Sequence, residues 1–288
     1  MTWALDLDGV VWLAGRGIPG SADAVSELRR AGERVVFLTN NSGPRVAEHV
    51  AALQAVGIDC SPTDLATSAQ AVASMVARGT RVAVVGDKGI YEALEAVGAV
   101  VVAADDEPGA VVVGRSAHLD YRALAEASAA VREGARFLAT NTDATFPARA
   151  PGSERTTEAR SGAGPGAAGG GADPDGDLGA RGWAPDDGLL PGAGAVVAFV
   201  ATACGRQPEV AGKPHQAMAA LVRSRFGPLS VVVGDRPETD GLFAKLVGAR
   251  FALVLSGVTN ASELPVVPSP DLVGRDLGSL VHKHLGSP

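Results

Sequence analysis

The sequence has few of the features that mark a disulfide-bonded, nucleic-acid-binding or membrane protein. It contains only two cysteines, Cys60 and Cys204, which match no metal-binding or redox spacing. We interpret both as small core residues of a protein in a reducing compartment. The net charge is −7 and no lysine- and arginine-rich run occurs, which argues against nucleic acids and anionic membranes as partners.

Long apolar runs and a targeting segment are also absent. The longest apolar stretch, Ala193–Cys204, is too short to span a bilayer and predicts a buried helix. The first predicted strand begins at the third residue and leaves no room for a signal peptide, so we expect a cytoplasmic protein. With 288 residues, 46% of them hydrophobic, the chain is long enough to bury one large core or two smaller ones.

Strand-like and helix-like segments alternate along the chain, which is typical of an α/β fold with a mainly parallel sheet. Apolar strands are predicted at residues 3–7, 35–38, 82–85, 137–139, 231–233 and 251–255, with two more near 100 and 111. Helices are predicted at residues 21–31, 44–57, 69–78, 91–97 and 216–226, with two more beginning near 120 and 239. Residues that directly follow the strands are candidates for a functional site, because open α/β sheets bind ligands at that edge.

One segment interrupts this alternation. Between residues 151 and 188, glycine and proline occupy 15 of 38 positions, and Leu178 is the only large aliphatic residue. Such a composition buries too little apolar surface to offset the entropy of ordering. We interpret residues 151–186 as a disordered insertion in a loop; an ordered flap that faces the substrate is the alternative.

Two acidic residues follow the first predicted strand. Asp6 and Asp8 lie in an Asp-Leu-Asp-Gly sequence where the apolar run ends. One carboxylate of such a pair can attack and the other can move a proton, while Mg²⁺ holds the first in place. A capped turn or a solvated acid pair has the same sequence, so the pair alone does not establish a catalytic role.

Three further segments carry polar residues at comparable places. Thr39 and Asn40 follow the second strand and can bind phosphate oxygens through a hydroxyl and backbone N–H groups, although an Asx-turn has the same sequence. Lys213 precedes the helix at 216–226 and can place its ammonium on a phosphate or a carboxylate; a solvated surface lysine is the alternative. It is not part of a Walker A motif, because Pro214 replaces the serine or threonine.

The last segment begins directly after the strand at 231–233. Asp235 can complete a Mg²⁺ site, which prefers oxygen ligands. Asp240 lies in the first turn of the next predicted helix, where the backbone dipole favours an anion. It can cap that helix and support the site from behind.

Together, in this order, the four segments resemble the motifs of the haloacid dehalogenase-like phosphatases: an Asp-x-Asp pair, a Ser or Thr, a Lys, and a Gly-Asp segment with a second Asp. The Thr-Asn-Asn, Gly-Lys-Pro and Leu-Leu-Pro-Gly-Ala-Gly sequences at 39–41, 212–214 and 189–194 are more narrowly similar to the branch with a large α/β cap. That branch includes glycerol-3-phosphate, phosphoglycolate and 4-nitrophenyl phosphatases and the bacterial NagD-type phosphatases. The resemblance covers nearly the whole chain except the glycine-rich insertion.

The resemblance implies a Rossmann-like α/β core with an inserted α/β cap domain. We place the core at residues 1–78 and 208–288 and the cap at 79–207, with the insertion at 151–186 inside the cap.

The resemblance also implies roles for the site residues. Asp6 is the expected nucleophile, which forms an aspartyl phosphate, and Asp8 the expected acid and base. Mg²⁺ is expected on the Asp6 carboxylate, the Asp8 backbone carbonyl and Asp235. Phosphate is expected on Thr39, the Asn40 backbone and Lys213.

Some polar residues of the predicted cap are ambiguous. Asn141 and Asp143 resemble the family's cap segment that faces the active site, which implies contacts with the leaving group; ordinary turn chemistry is the alternative. The Gly-Asp sequence at 86–87 imitates the fourth motif, but it has a glutamate, Glu92, instead of an aspartate five residues later and falls in the predicted cap, so we interpret it as structural. The histidines show no metal-ligand pattern and are predicted on the surface: His49, His118, His215, His282 and His284.

We therefore predict Mg²⁺-dependent hydrolysis of a small phosphorylated metabolite, with glycerol 3-phosphate or phosphoglycolate as the preferred substrates. A broad-range sugar or nucleoside monophosphate phosphatase is the alternative within this class. A catalytically silent binding protein would not need Asp8 as a proton carrier, and a phosphorylated receiver domain would not need a large cap. The sequence leaves open whether the chain forms a homo-oligomer.

Overall fold

The computed structural model describes residues 1–147 and 189–286, so the predicted insertion at 151–186 lies outside the described part. The described strands are β1 (Thr2–Asp6), β2 (Trp12–Leu13), β3 (Arg16–Gly17), β4 (Arg34–Thr39), β5 (Leu65–Thr67), β6 (Arg81–Val85), β7 (Val100–Val101), β8 (Ala110–Val113), β9 (Arg136–Ala139), β10 (Thr145–Pro147), β11 (Leu189–Pro191), β12 (Glu209–Val210), β13 (Val231–Gly234), β14 (Arg250–Val254) and β15 (Leu272–Gly274).

The described helices connect these strands. They are α1 (Ser21–Arg30), α2 (Val46–Ala55), α3 (Ser68–Ala73), α4 (Lys88–Ala96), α5 (Tyr121–Arg132), α6 (Ala193–Cys204), α7 (Gln216–Phe226), α8 (Leu242–Val247) and α9 (Leu277–Leu285). A π-helical turn at Pro237–Gly241 leads into α8. Among the described helices, none has the length and apolar character needed to cross a bilayer.

The larger sheet has six parallel strands in the order β15-β14-β13-β1-β4-β5. Its central strand β1 lies between β13 and β4, so that Ala4 is opposite both Val232 and Val36. The central strands are continuous apolar runs because helices cover both faces of the sheet. Helices α1, α2 and α9 pack on one face, and α3, α7 and α8 pack on the other.

The smaller sheet has five parallel strands in the order β12-β9-β8-β6-β7. Helices α5 and α6 cover one face, and α4 packs on the other face in a hydrophobic cluster that continues into the larger unit. We call the segments β6–β12 and α4–α6 the cap. The predicted Rossmann-like α/β core with an inserted second α/β unit is confirmed.

The last cap strand differs from the boundary expected at 207. β12 (Glu209–Val210) pairs with β9 at the edge of the smaller sheet, two residues into the range assigned to the core. A two-residue edge strand has no periodicity that the sequence could reveal.

Two predictions about helices and one about a histidine were wrong in detail. The helix expected at 69–78 ends at Ala73, because the Ser74 hydroxyl donates to the Ala71 carbonyl at 2.7 Å and competes with the helical backbone. Helix α6 is apolar all round but exposes one side, where Phe199 is 40% exposed, because it covers only one face of the smaller sheet. His49 is buried rather than on the surface, since it lies on the same face of α2 as Leu53, which packs in the core.

Candidate active site

Three of the expected site residues lie at the carboxyl edge of the larger sheet. Asp6 is the last residue of β1, and Thr39 is the last residue of β4. Asp235 directly follows β13. Because β13, β1 and β4 are adjacent and parallel, their ends bring these side chains together. Lys213 joins them from the loop between β12 and α7.

Lys213 forms ion pairs with two carboxylates. Its Nζ atom lies 2.9 Å from Asp6 Oδ1 and 2.6 Å from Asp240 Oδ1. The lysine is 3% exposed, which excludes a solvated surface lysine. Burial alone would lower the pKa of Lys213, but Asp240 and Asp6 raise it above its ordinary value. The ammonium therefore stays charged and fixes the orientation of Asp6.

Three carboxylates converge beside this lysine. Oxygen atoms of Asp6, Asp235 and Asp240 all lie within 4.8 Å of one another. Burial and, second to it, the charge of Asp240 raise the pKa of Asp235 to about 7. Burial also raises the pKa of Asp6, which the ion pair with Lys213 offsets only in part.

This donor set fits a divalent cation. Clustered carboxylate oxygens are the ligands that Mg²⁺ prefers, and one lysine does not balance three acids. A cation bound here would favour the ionised forms of Asp6 and Asp235. The family resemblance implies the Asp8 backbone carbonyl as a further ligand. The Asp240 carboxylate belongs to the same cluster, but it accepts hydrogen bonds from Lys213 and the Arg236 backbone.

The loop after β1 packs tightly against Asp235. Gly9 has a φ of +80°, and a Cβ atom there would lie 2.5 Å from Asp235 Cγ. On the other side, the Val258 N–H donates to Asp235 Oδ2 at 2.6 Å. Gly9 is therefore required both by its backbone conformation and by the space that the carboxylate occupies.

Asp8 is held by the hairpin of β2 and β3. The Trp12 indole N–H donates to Asp8 Oδ1 at 3.2 Å. Burial raises the pKa of Asp8, and this hydrogen bond lowers it in part. A carboxyl group with a raised pKa holds its proton more readily near neutral pH, as a general acid must.

Asn40 links the two units of the molecule. Its side-chain oxygen accepts the Lys213 N–H at 2.8 Å, and its amide donates to Asp143 Oδ2 at 3.1 Å. Asn141 donates to the Asn40 carbonyl at 2.6 Å. The Thr39 hydroxyl accepts the Asn41 N–H at 3.0 Å in a tight turn. Asn141 and Asp143 therefore reach the site and also join the cap to the core.

All of the predicted site residues except Asp240 line one cavity of about 70 Å³ between the cap and the core. Asp240 is fully buried and reaches the site through Lys213. The predicted residues in the cavity wall are Asp6, Asp8, Thr39, Asn40, Asn141, Asp143, Lys213 and Asp235.

The sequence did not identify several residues at this cavity. Arg115, Phe146 and Arg236 line it, and Trp12 contacts Asp8. Arg236 directly follows Asp235, so the motif itself pointed to it. Arg115 follows β8 without a recognisable motif, and only the packing of the cap on the core brings it to the site.

Two family models match the chain. One, described as haloacid dehalogenase-like hydrolase, matches residues 3–100, and one described as HAD-hydrolase-like matches residues 210–280. The chain is 34% identical to the D-glycerol 3-phosphate phosphatase of Mycobacterium tuberculosis, over 96% of this chain and 69% of that protein. It is 28% identical to phosphoglycolate phosphatase 2 of Arabidopsis thaliana, over 91% of this chain and 85% of that protein.

The structure resembles solved phosphatases over its whole length. A glycerol phosphate phosphatase from Mycobacterium tuberculosis in complex with magnesium superimposes with a TM-score of 0.77 at 32% identity, covering 97% of this chain and 76% of that chain. A p-nitrophenyl phosphatase from Archaeoglobus fulgidus gives a TM-score of 0.78 at 25% identity, with 98% of each chain covered.

Proposed function

This chain belongs to the haloacid dehalogenase-like hydrolases, and on that premise we propose that it hydrolyses a small phosphate monoester with the help of Mg²⁺. One observation carries the proposal: Lys213 Nζ lies 2.9 Å from the Asp6 carboxylate, inside a cluster of three acids at the edge of a parallel sheet. A nucleophile, a fixed cation and a set of metal ligands therefore meet at one point.

In the first step, an Asp6 oxygen attacks phosphorus and the bond between phosphorus and the ester oxygen breaks. Asp8 gives its proton to the departing alkoxide, so that a neutral alcohol leaves. Lys213 and the backbone around Thr39 and Asn40 neutralise and orient the phosphate. Positioning and charge stabilisation supply most of the catalysis in phosphoryl transfer.

In the second step, water attacks the phosphorus of the aspartyl phosphate. Asp8, now ionised, takes a proton from this water, and the bond from phosphorus to the Asp6 oxygen breaks. Inorganic phosphate leaves, and both aspartates return to their starting protonation states. One residue thus serves as acid and then as base.

Mg²⁺ would be held by the Asp6 and Asp235 carboxylates and the Asp8 carbonyl, with Asp240 behind them. Bound there, it supplies positive charge that lets an anionic nucleophile approach an anionic phosphate. The Asp235 carboxylate is fixed in position for the metal by the Val258 N–H and by its close contact with Gly9.

The substrate class follows from the relatives. Similar proteins are named D-glycerol 3-phosphate phosphatase, phosphoglycolate phosphatase 2 and dihydroxyacetone phosphatase, and these names point to compact esters. The expectations of a cytoplasmic location and of no nucleic-acid partner stay predictions.

The proposal is tested with 4-nitrophenyl phosphate. Phosphate release should require Mg²⁺ and stop with EDTA. Asp6→Asn should abolish turnover and Asp8→Asn should slow it at least ~100-fold, the usual cost of losing an acid or base. Circular dichroism should show that both variants remain folded. If folded Asp6→Asn still hydrolysed the ester, Asp6 would not be the nucleophile.

A further inference from the structure

Arg115 lies at the active-site cavity but has no part in the chemistry proposed above. It follows β8 in the cap, and its side chain is 17% exposed. Its Cζ atom lies 4.3 Å from the centroid of the Phe146 ring, so the guanidinium stacks on an aromatic face. Both residues line the cavity.

The N–H groups of the Arg115 guanidinium are available to a ligand as far as the described residues are concerned. Among residues 1–147 and 189–286, it contacts the Phe146 ring and lies 3.9 Å from Asp87 Oδ2, and it donates no hydrogen bond. The other cations of the cavity donate to the protein: Lys213 contacts two carboxylates, and Arg236 donates one hydrogen bond, to the Thr145 carbonyl at 3.4 Å. In the described cavity wall, Arg115 is thus the cation whose N–H groups donate no hydrogen bond.

Asp87 fixes the position of this arginine. Its backbone N–H donates to the Arg115 carbonyl at 3.1 Å, and its carboxylate lies near the guanidinium. The Ala117 N–H donates to the same carboxylate at 2.9 Å. The Gly-Asp sequence at 86–87, which imitates the fourth motif, therefore shapes the turn that carries Arg115.

Arg115 lines the cavity from the cap, whereas Asp6, Thr39 and Lys213, which meet the phosphate in the proposed mechanism, line it from the core. A ligand whose phosphate lies on these core residues directs its alcohol part toward the cap. A group that Arg115 binds therefore belongs to that alcohol.

We propose that Arg115, stacked on Phe146 and positioned by Asp87, binds a carboxylate on the alcohol part of the substrate. The preferred substrate class is then a small phosphorylated hydroxy acid, such as 2-phosphoglycolate, rather than an ester of an uncharged polyol. This inference rests on the proposed phosphatase function and specifies its substrate.

The chemistry of the guanidinium decides between these substrates. The planar guanidinium can donate two parallel hydrogen bonds to a carboxylate. Because the Phe146 ring already holds the guanidinium in place, the Arg115 side chain loses less conformational entropy on binding. An uncharged polyol offers no counter-charge, so the largely buried cation would keep only Asp87, at 3.9 Å, as an ionic partner among the described residues. Sites built around such a polar group discriminate strongly against ligands that lack its partner.

The test is the ratio of kcat/KM for 2-phosphoglycolate to kcat/KM for glycerol 3-phosphate, with 4-nitrophenyl phosphate as the reference ester. The variants are Arg115→Gln, which removes the charge, and Arg115→Lys, which keeps the charge but cannot donate two parallel hydrogen bonds to one carboxylate. Arg122→Gln is the matched control, because Arg122 is also a cap arginine but pairs with Glu126 on the exposed side of α5.

In the unmodified protein the ratio should exceed ten. Arg115→Gln should lower it at least tenfold, Arg115→Lys should lower it less, and Arg122→Gln should leave it unchanged. A purely structural role of Arg115 would reduce turnover of all three esters alike and leave the ratio in place, which would overturn the inference. A ratio below one in the unmodified protein would also overturn it. Hydrolysis of none of the three esters would instead refute the phosphatase function itself.

Discussion

At the residue scale, two buried tryptophans differ in what their indole N–H groups do. Trp12 donates to Asp8 at 3.2 Å, whereas Trp3 has no partner for its indole nitrogen within the described residues. Trp12→Phe should lower kcat about 10–100-fold, because its hydrogen bond stabilises the ionised Asp8 that forms when the proton leaves. A hydrogen bond to a charged group contributes ~1.5–3 kcal/mol, and tenfold in rate is ~1.4 kcal/mol. Steady-state kinetics with 4-nitrophenyl phosphate measure the effect.

Trp3→Phe is the matched control for this prediction. It shortens a fully buried indole in the core without removing a hydrogen bond. The variant should lose some stability and keep its kcat. Equal losses of kcat in the two variants would show that Trp12 acts through packing rather than through Asp8.

His49 gives the molecule a stability that depends on pH. It is 4% exposed, and burial lowers its pKa to about 4. The unfolded chain binds the proton near pH 6.5 and the folded chain only near pH 4, so the unfolded state holds more protons between these values. The free energy of unfolding should therefore fall, by up to about 3 kcal/mol from this group, as the pH decreases from 6.5 to 4.

Urea denaturation at several pH values isolates this contribution. Between pH 6.5 and 4, His49→Gln should lose up to about 3 kcal/mol less stability than the parent protein, whereas the control His118→Gln, at an exposed position, should keep the parent slope. An identical slope in His49→Gln and the parent protein would contradict the assignment.

At the element scale, the ends of the strands explain why so much of the site was predictable. Asp6, Thr39 and Asp235 each follow an apolar run that can only be a buried strand, and parallel strands end at one edge. Lys213 and Asp240 were predictable from the order of the four motifs. Trp12 and Arg115 were not, because their contacts arise from the packing of a hairpin and of the cap, which leaves no periodicity in the sequence.

The contact between α4 and the loop after β4 is a second feature that the sequence does not reveal. Gly89, the second residue of α4, donates its N–H to the Gly43 carbonyl at 2.9 Å. A Cβ atom at this position would clash with the Pro44 carbonyl oxygen and lie 2.7 Å from that of Ser42. The cap and the core therefore touch here backbone to backbone.

Gly89→Ala should weaken this contact. We expect the free energy of unfolding to fall by about 1–3 kcal/mol, the cost of adding a methyl group to a packed site. Gly278→Ala is the control, because Gly278 is also the second residue of its helix but a Cβ atom there meets nothing nearer than 3.6 Å. That variant should gain up to about 1 kcal/mol from helix propensity. Urea denaturation compares the two, and a neutral Gly89→Ala would contradict the close approach.

At the scale of the whole molecule, the active site concentrates charge where the fold is most buried. The sheet edges of both units and the apolar cluster that joins them enclose Asp6, Asp235 and Asp240, with Lys213 as the cation paired with the first and third. Burying like charges together opposes folding, and catalysis needs them there. The metal-free protein should therefore be less stable than its apolar packing alone would make it.

Asp235→Asn tests this balance without any measurement of turnover. The pKa of Asp235 is raised to about 7, so near pH 8 the ionised carboxylate opposes folding, and an amide of the same shape can still accept the Val258 N–H. In EDTA the variant should be more stable than the parent protein by roughly 1–3 kcal/mol.

With Mg²⁺ at 100 times its dissociation constant the parent should gain about 2.7 kcal/mol, and the variant less than half of that, because one ligand is lost. The control Asp23→Asn, an exposed acid of α1, should change neither value. If the variant is less stable than the parent in EDTA, the Asp235 carboxylate stabilises the metal-free fold, and the prediction is wrong.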